Sequence, residues 1–244
     1  MSLKNNPKNK QTKESTENLL PLMPTSGTSH LPKILDICHY GDPILRDHSK
    51  PVKEINNELR QLVDDMIATM VKFNGVGLAA NQVGRSKRLI VVDVGGAVPN
   101  SKEGLLVLLN PKILKKSRRR EAQEEGCLSL PGLSIKVRRP RQVDLEYFQL
   151  NDGRRVKLSA EGLLARVILH EINHLDGVLL MDKLTFWQRM RIKKQLLAIK
   201  QQTLQELKEK EKIKKAKEKT FLSETKPNLP LIPPTSPPPP TKIF

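Results

Sequence analysis

Residues 160 to 177, AEGLLARVILHEINHLDG, limit the fold more than any other stretch of the chain. Leu163, Leu164, Val167, Ile168, Ile172 and Leu175 recur at helical spacing but spread over more than one side, so a helix here must be wrapped by the rest of the protein. Ser159 is placed to cap its start and Gly177 to end it. His170 and His174 stand one turn apart on a common face, with Glu171 beside them. Two imidazoles and a carboxylate on so apolar a helix are costly to bury without a common partner, and a metal ion supplies one. In that arrangement the histidines are ligands and Glu171 is a base toward water.

A catalytic site of this kind takes three protein ligands and keeps one position open. The extended pattern HExxHxxGxxH is matched at Gly177 but ends on Leu180, which cannot bind a metal. No glutamate occurs between Gly177 and Glu206, and Asp176 and Asp182 flank the helix end as turn or surface residues. A zinc endopeptidase, the rival enzymatic reading, needs such a downstream ligand. Upstream stand His30, Cys38, His39, His48 and Cys127. Cys127 lies in EEGCLSLPG beside Gly126, which lets a substrate or another segment approach the backbone. A lone cysteine also reads as a small buried hydrophobe, and on these residues both readings stay open.

The elements that wrap such a helix are legible around it. In residues 56 to 73, Leu59, Leu62, Val63, Met66, Ile67, Met70 and Val71 step by three and four, which predicts an amphipathic helix with one buried stripe. Short apolar or alternating runs at 88–94, 105–114, 133–139, 142–150 and 154–159 predict strands. The turn NDG between the last two predicts a hairpin, hence antiparallel pairing. Residues 187 to 205 again have helical spacing. The order of helix, strands, buried helix and surface helix is that of an α+β fold, with antiparallel sheets packed around the helix that carries HEINH and a C-terminal surface helix.

Only residues 31 to 205 have the composition of a packed, catalytic domain. Residues 1 to 30 are expected to be disordered. Residues 206 to 244 are expected to be a disordered tail, first a Lys/Glu run that alternatively extends the last helix into solvent, then a proline-rich coil ending in Pro237 to Pro240. More than half of the +17 formal charge lies beyond residue 187, where an anionic partner such as RNA and a merely solvated basic helix both fit. Aromatic residues are too sparse there for base stacking. No apolar run approaches the ~20 residues of a membrane span, and the N-terminus lacks the hydrophobic core of a secretory signal. Two cysteines allow at most one disulfide, so a soluble protein of a reducing compartment is expected.

GVGLAANQVG, residues 75 to 84, gathers small residues around one amide, Gln82. Gly75, Gly77 and Ala80 superficially fit GxGxxA, but a dinucleotide site needs a strand before it and a helix after it, and here the order is reversed. Small residues around a single amide suit close approach to a small substrate, with Gln82 as hydrogen-bond donor. In order, GVGLAANQ, EGCLS and HEINH resemble the three signature motifs of peptide deformylases, a likeness that extends over residues 31 to 200.

The resemblance implies a metal ion held by Cys127, His170 and His174, usually Fe2+, with Zn2+, Ni2+ or Co2+ accepted. It implies Glu171 as the base, and Gln82 and the backbone N–H of Leu128 as donors to the formyl oxygen of an N-formylmethionyl peptide. Gly75, Val76, Gly77 and Gly126 then border that peptide, and Glu125 pairs with Arg139, or with Arg138 or Arg141, behind the ligands. The expected products are formate and a free N-terminus, made by a cytoplasmic monomer, an organellar location staying open, whose basic C-terminal region meets the ribosome. A deformylase-like protein that mainly binds the ribosome is the non-catalytic rival. Two residues depart from the family's habit: Asn173 stands where Asp is usual and Asn81 where Pro is common. Neither is a ligand, so their effect is expected on the surroundings of the ligands.

Overall fold

The computed structural model describes residues 31–95 and 104–224. The expectations for residues 1 to 30, His30 among them, and for the proline-rich end lie outside the described residues. The elements are α1 (Asn57–Lys72), β1 (Gly77–Ala79), β2 (Leu89–Val92), β3 (Leu106–Lys116), β4 (Arg120–Gly126), β5 (Ser134–Pro140), β6 (Gln142–Phe148), β7 (Arg155–Glu161), α2 (Gly162–Leu175), α3 (Phe186–Arg191) and α4 (Lys193–Glu224). Chain contacts divide it into two compact units, one ending at Thr203 and one starting at Leu204.

In the first unit five strands form an antiparallel sheet in the order β1-β2-β3-β6-β7. Strand alternation explains why β2 is buried throughout. Leu89 and Val91 face α1, where they meet Leu59, Val63, Met66 and Met70, while Ile90 and Val92 face α2, where they meet Val167, Ile168 and Ile172. The sheet is thus covered by a helix on each side. α1 starts under the side chain of Asn56, which accepts the Leu59 N–H at 2.9 Å.

β4 and β5 pair separately as a two-stranded antiparallel sheet. On β5, Ile135, Val137 and Arg139 point inward and Lys136 and Arg138 outward. Ile135 and Val137 join Leu130, Leu133, Leu179, Leu180 and Met181 in a core of their own. α2 contacts both sheets, so the face of the helix that carries the histidines is closed from two directions.

Ser159 does not cap α2. Pairing with β6 carries β7 on through Glu161, so Ser159 stays in the strand opposite Asp144 and donates to its carboxylate at 2.7 Å. Gly162, at φ +62°, makes the turn into the helix, and the capping residue Glu161 contributes no side-chain bond. At the other end Gly177 has φ +69°, and a Cβ there would lie 2.3 Å from the Arg46 carbonyl oxygen, so glycine is required both by conformation and by space.

The last helix also differs from its expected bounds. It breaks at Ile192 between α3 and α4, and α4 continues to Glu224, so the Lys/Glu run takes the helical form and residues 206 to 224 are not a disordered tail. Pairs one turn apart support it: Lys215 with Glu211, and Lys214 with Glu218. Among the described residues no helix is long and apolar enough to cross a membrane.

Candidate metal centre

Helical spacing places Arg166, His170 and His174 in one row of α2, four residues apart. Cys127 enters from the other side, where β4 gives way to a turn closed by the Leu130 N–H on the Cys127 carbonyl at 2.9 Å. Its Sγ lies 3.2 Å from His174 Nε2, which lies 3.3 Å from His170 Nε2. The three ligand atoms fall within 4.8 Å of one another. Both histidines are buried, as is Glu171.

Gln82 sits in the 3-10 turn that follows β1. Its Oε1 accepts the Ala79 N–H at 2.8 Å, which fixes the amide so that Nε2 points at Ser129 Oγ, 3.2 Å away, and at Cys127 Sγ, 3.7 Å away. Behind His170 lies Glu125. Its Oε1 accepts from Arg139 Nε at 2.6 Å and from Arg166 Nη1 at 2.5 Å, and its Oε2 accepts from Arg139 Nη2 at 2.8 Å. His170 Nδ1 lies 2.9 Å from the same Oε2. A proton on Nδ1 satisfies that contact and leaves the Nε2 lone pair facing Cys127 and His174.

A model of the polypeptide deformylase family matches residues 34–190. The chain belongs to the peptide deformylase family. It is 45% identical over 161 residues to a peptide deformylase of Thermodesulfovibrio yellowstonii, covering 66% of this chain and 95% of that one. A Synechococcus elongatus peptide deformylase solved with actinonin is similar at 43% identity and a TM-score of 0.61, over 68% of this chain and 85% of that one. An Arabidopsis thaliana deformylase solved with an inhibitor aligns at 38% identity and a TM-score of 0.65, over 70% and 93%. The family's enzymes are metal-dependent hydrolases that take the formyl group from the N-terminal formylmethionine of new polypeptides, and this chain is such a deformylase.

The residues present fit a divalent ion. Cys127, His170 and His174 offer one thiolate and two imidazole nitrogens, a donor set suited to iron or zinc. Burial pushes His170 down, but its hydrogen bonds with Cys127 and Glu125 prevail and raise it to about 10. Burial, with His170 and Arg139 nearby, holds His174 well below its ordinary value. Two imidazole nitrogens 3.3 Å apart, with the Cys127 sulfur 3.2 Å from one of them, form a donor set that one cation can share. Burial lifts Glu171 to about 7 against the pull of His170 and Arg139. Its Oε2 is buried without a hydrogen-bond partner among the described residues, as is His174 Nδ1. An orphaned carboxylate oxygen beside a metal-capable cluster fits a site that also takes an ion.

Gly77 lies against this carboxylate. A Cβ there would be 2.6 Å from Val167 Cγ1 and 2.7 Å from Glu171 Oε1, so β1 approaches α2 as closely as it does only because residue 77 is glycine. Gly75 is near the Leu128 side chain, and Val76 is partly exposed. Gly126 has open space around the position of a Cβ, so its backbone is not crowded by the protein. Burial pushes Glu125 up, yet the hydrogen bond to His170 and the Arg139 guanidinium outweigh it and hold its carboxyl at about 2.

Of the three candidate arginines, it is Arg139 that meets Glu125. Alternation along β5 turns Arg138 outward, and Arg141 pairs with Glu121 and Glu161. Asn173 Oδ1 accepts from Arg139 Nη1 at 2.9 Å, and Asn81 Nδ2 donates to the His174 carbonyl at 2.6 Å. Leu180 is buried in a 3-10 turn, and Asp176 and Asp182 pair with Arg88 and Arg46. Sequence reasoning missed Arg166 and Ser129. For Arg166 the signal was present: a lone cation in an apolar run, one turn before His170 on the same face.

Proposed function

We propose that deformylation takes place at Cys127, His170 and His174, with Glu171 moving the proton. The observation that carries this assignment is the buried Glu171 carboxylate with an unpartnered Oε2 beside the grouped thiol and imidazoles. The ion held there is Fe2+, with Zn2+, Ni2+ or Co2+ accepted by the same donors. When bound it supplies a Lewis acid that makes water nucleophilic near neutral pH.

Glu171 takes a proton from the attacking water as its oxygen bonds to the formyl carbon. The C–N bond then breaks, Glu171 delivers that proton to the departing amine, and the free N-terminus leaves together with formic acid, which loses its remaining proton to solvent as formate. The Gln82 Nε2 amide and the Leu128 backbone N–H donate to the formyl oxygen as negative charge grows on it. Because Gln82 Oε1 is already held by Ala79, the amide needs no reorganisation to do so. Gly75, Val76 and Gly77 lead into β1, an edge strand beside which an extended peptide can lie, and the open backbone of Gly126 borders its other side. Arg139 and Glu125 orient His170. The enzyme acts as a cytoplasmic monomer on N-formylmethionyl peptides, and its basic C-terminal helix meets the ribosome.

The test is formate release from formyl-Met-Ala-Ser by anaerobic, Fe2+-loaded protein. Glu171→Gln is expected to keep its metal and lose turnover, and Cys127→Ala to lose its metal on dialysis. Absence of formate together with internal cleavage of a protein substrate would replace this reading with the endopeptidase one.

A further inference from the structure

Two guanidinium groups are buried behind His170, and the carboxylate they both touch is one. Arg139 and Arg166 are 5% and 6% exposed, and both donate to Glu125 Oε1. None of their other partners carries a negative charge: Arg139 Nη2 also lies 3.5 Å from His170 Nδ1, and the rest are carbonyl and amide oxygens. Arg139 Nη1 donates to the Leu169 carbonyl and to Asn173 Oδ1 at 3.1 and 2.9 Å. Arg166 donates to the carbonyls of Val137 and Glu121 at 3.2 and 2.8 Å. Carbonyl and amide oxygens satisfy N–H groups without cancelling charge. The Glu121 carboxylate is turned to Arg141, so it does not complete the count. On the Glu125 side of His170 the buried cluster therefore carries one positive charge in excess.

We propose that Arg166 and Asn173 together set how tightly the Cys127–His170–His174 site holds a divalent ion, and that by leaving one buried guanidinium without a counter-carboxylate they weaken that hold. The inference rests on the metal-site assignment made above. Two effects act in the same direction. A buried positive charge repels a cation at short range with little solvent screening. The second guanidinium also draws on the carboxylate oxygen next to that facing His170 Nδ1, which lowers the electron density Glu125 can lend to the imidazole as ligand. Asn173 is the position where the imbalance is removed most simply, because Asp has the same shape and leaves an oxygen where Arg139 already donates. Both residues act through Glu125, Arg139 and His170, so they are positioning residues.

The experiment measures Zn2+ affinity of the full-length chain at fixed pH and ionic strength by competition with a chromophoric chelator, and records the Co2+ spectrum with its thiolate charge-transfer band. Wild type is expected to show that band and Cys127→Ser to lack it; if wild type lacks it, the metal-site assignment fails. Given the band, Asn173→Asp is expected to bind Zn2+ about 10-fold tighter, the lower end of the ~10–100-fold range for groups that support ligands. Arg166→Gln, which removes the charge but keeps amide donors, is expected to tighten binding as well, whereas a purely structural arginine would loosen it. Unchanged or weaker binding in Asn173→Asp, with its band intact, overturns the proposal, and that nearly isosteric variant decides the matter if Arg166→Gln does not fold.

Discussion

Glu125 shows what one side chain can be made to hold. It receives both arginines, and His170 Nδ1 lies at its second oxygen, so one carboxylate is in contact with an imidazole of the metal-capable group and with buried cations from β5 and α2. Glu125→Gln keeps the shape and removes the charge. Leaving Arg139 and Arg166 uncompensated is expected to cost about 3–5 kcal/mol, the scale for breaking a buried ion pair, read as a lower midpoint in urea. The same variant should bind Zn2+ roughly 10–100-fold more weakly, read by chelator competition. Much of this site is legible in the sequence, but unevenly. His170, Glu171 and His174 declare themselves because one helical turn brings them together. Cys127 and Gln82 become members of the site only through the likeness to a family, since nothing local says that β4 and the turn after β1 converge on α2. Asn173 stands in the sequence as an unexplained departure, and the partner that gives it meaning, Arg139, comes from a different sheet.

At the scale of elements, the packing of β1 on α2 sets where Glu171 can be. Gly77→Ala would drive a methyl group into Val167 and Glu171, so β1 must lift or the carboxylate must turn away. Overpacking of this kind is expected to cost about 1–3 kcal/mol, and kcat should fall far more than metal content does; full kcat in Gly77→Ala would show that the close approach is dispensable. The segment after α2 is pinned differently, by Asp182 under Arg46 and the Leu179 N–H. Burial would raise Asp182, but Arg46 and the Leu179 N–H outweigh it and hold it below its ordinary 3.8. A depressed carboxylate stabilises the fold above its ordinary pKa and ceases to do so as pH falls through the lowered value. Asp182→Asn should therefore lower Tm by a few degrees at pH 7, in line with about 1 kcal/mol or less for a half-solvated pair, and by less at pH 3. An equal loss at both pH values would assign the effect to the hydrogen bonds alone. Helices and apolar strands were legible here because burial imposes periodicity on them. β4 was not: in REAQEEG only Glu125 is fully buried, and its strand form comes from pairing with β5. Ser159 misled for a similar reason, since cross-strand pairing outcompeted a local cap.

Across the whole molecule, every residue assigned to the site lies in the unit that ends at Thr203. The Lys/Glu stretch of α4 belongs to the other unit and is rich in exposed charge. Pairs such as Lys215–Glu211 contribute only about 0.2–0.5 kcal/mol each to such a helix and are weakened by salt. Removing residues 204 to 244 is therefore expected to leave formate release from formyl-Met-Ala-Ser within about twofold of the full chain, and the core's Tm within the few degrees that ~1 kcal/mol represents. Association with ribosomes should respond differently, because a basic helix that neutralises phosphates releases counterions and so binds with a steep dependence on salt. In cosedimentation across a salt series, the truncated chain should bind more weakly and with a shallower slope than the full chain. Identical slopes would rule this helix out as a ribosome contact, while a large loss of turnover on the small peptide would mean that the helix supports the catalytic unit itself.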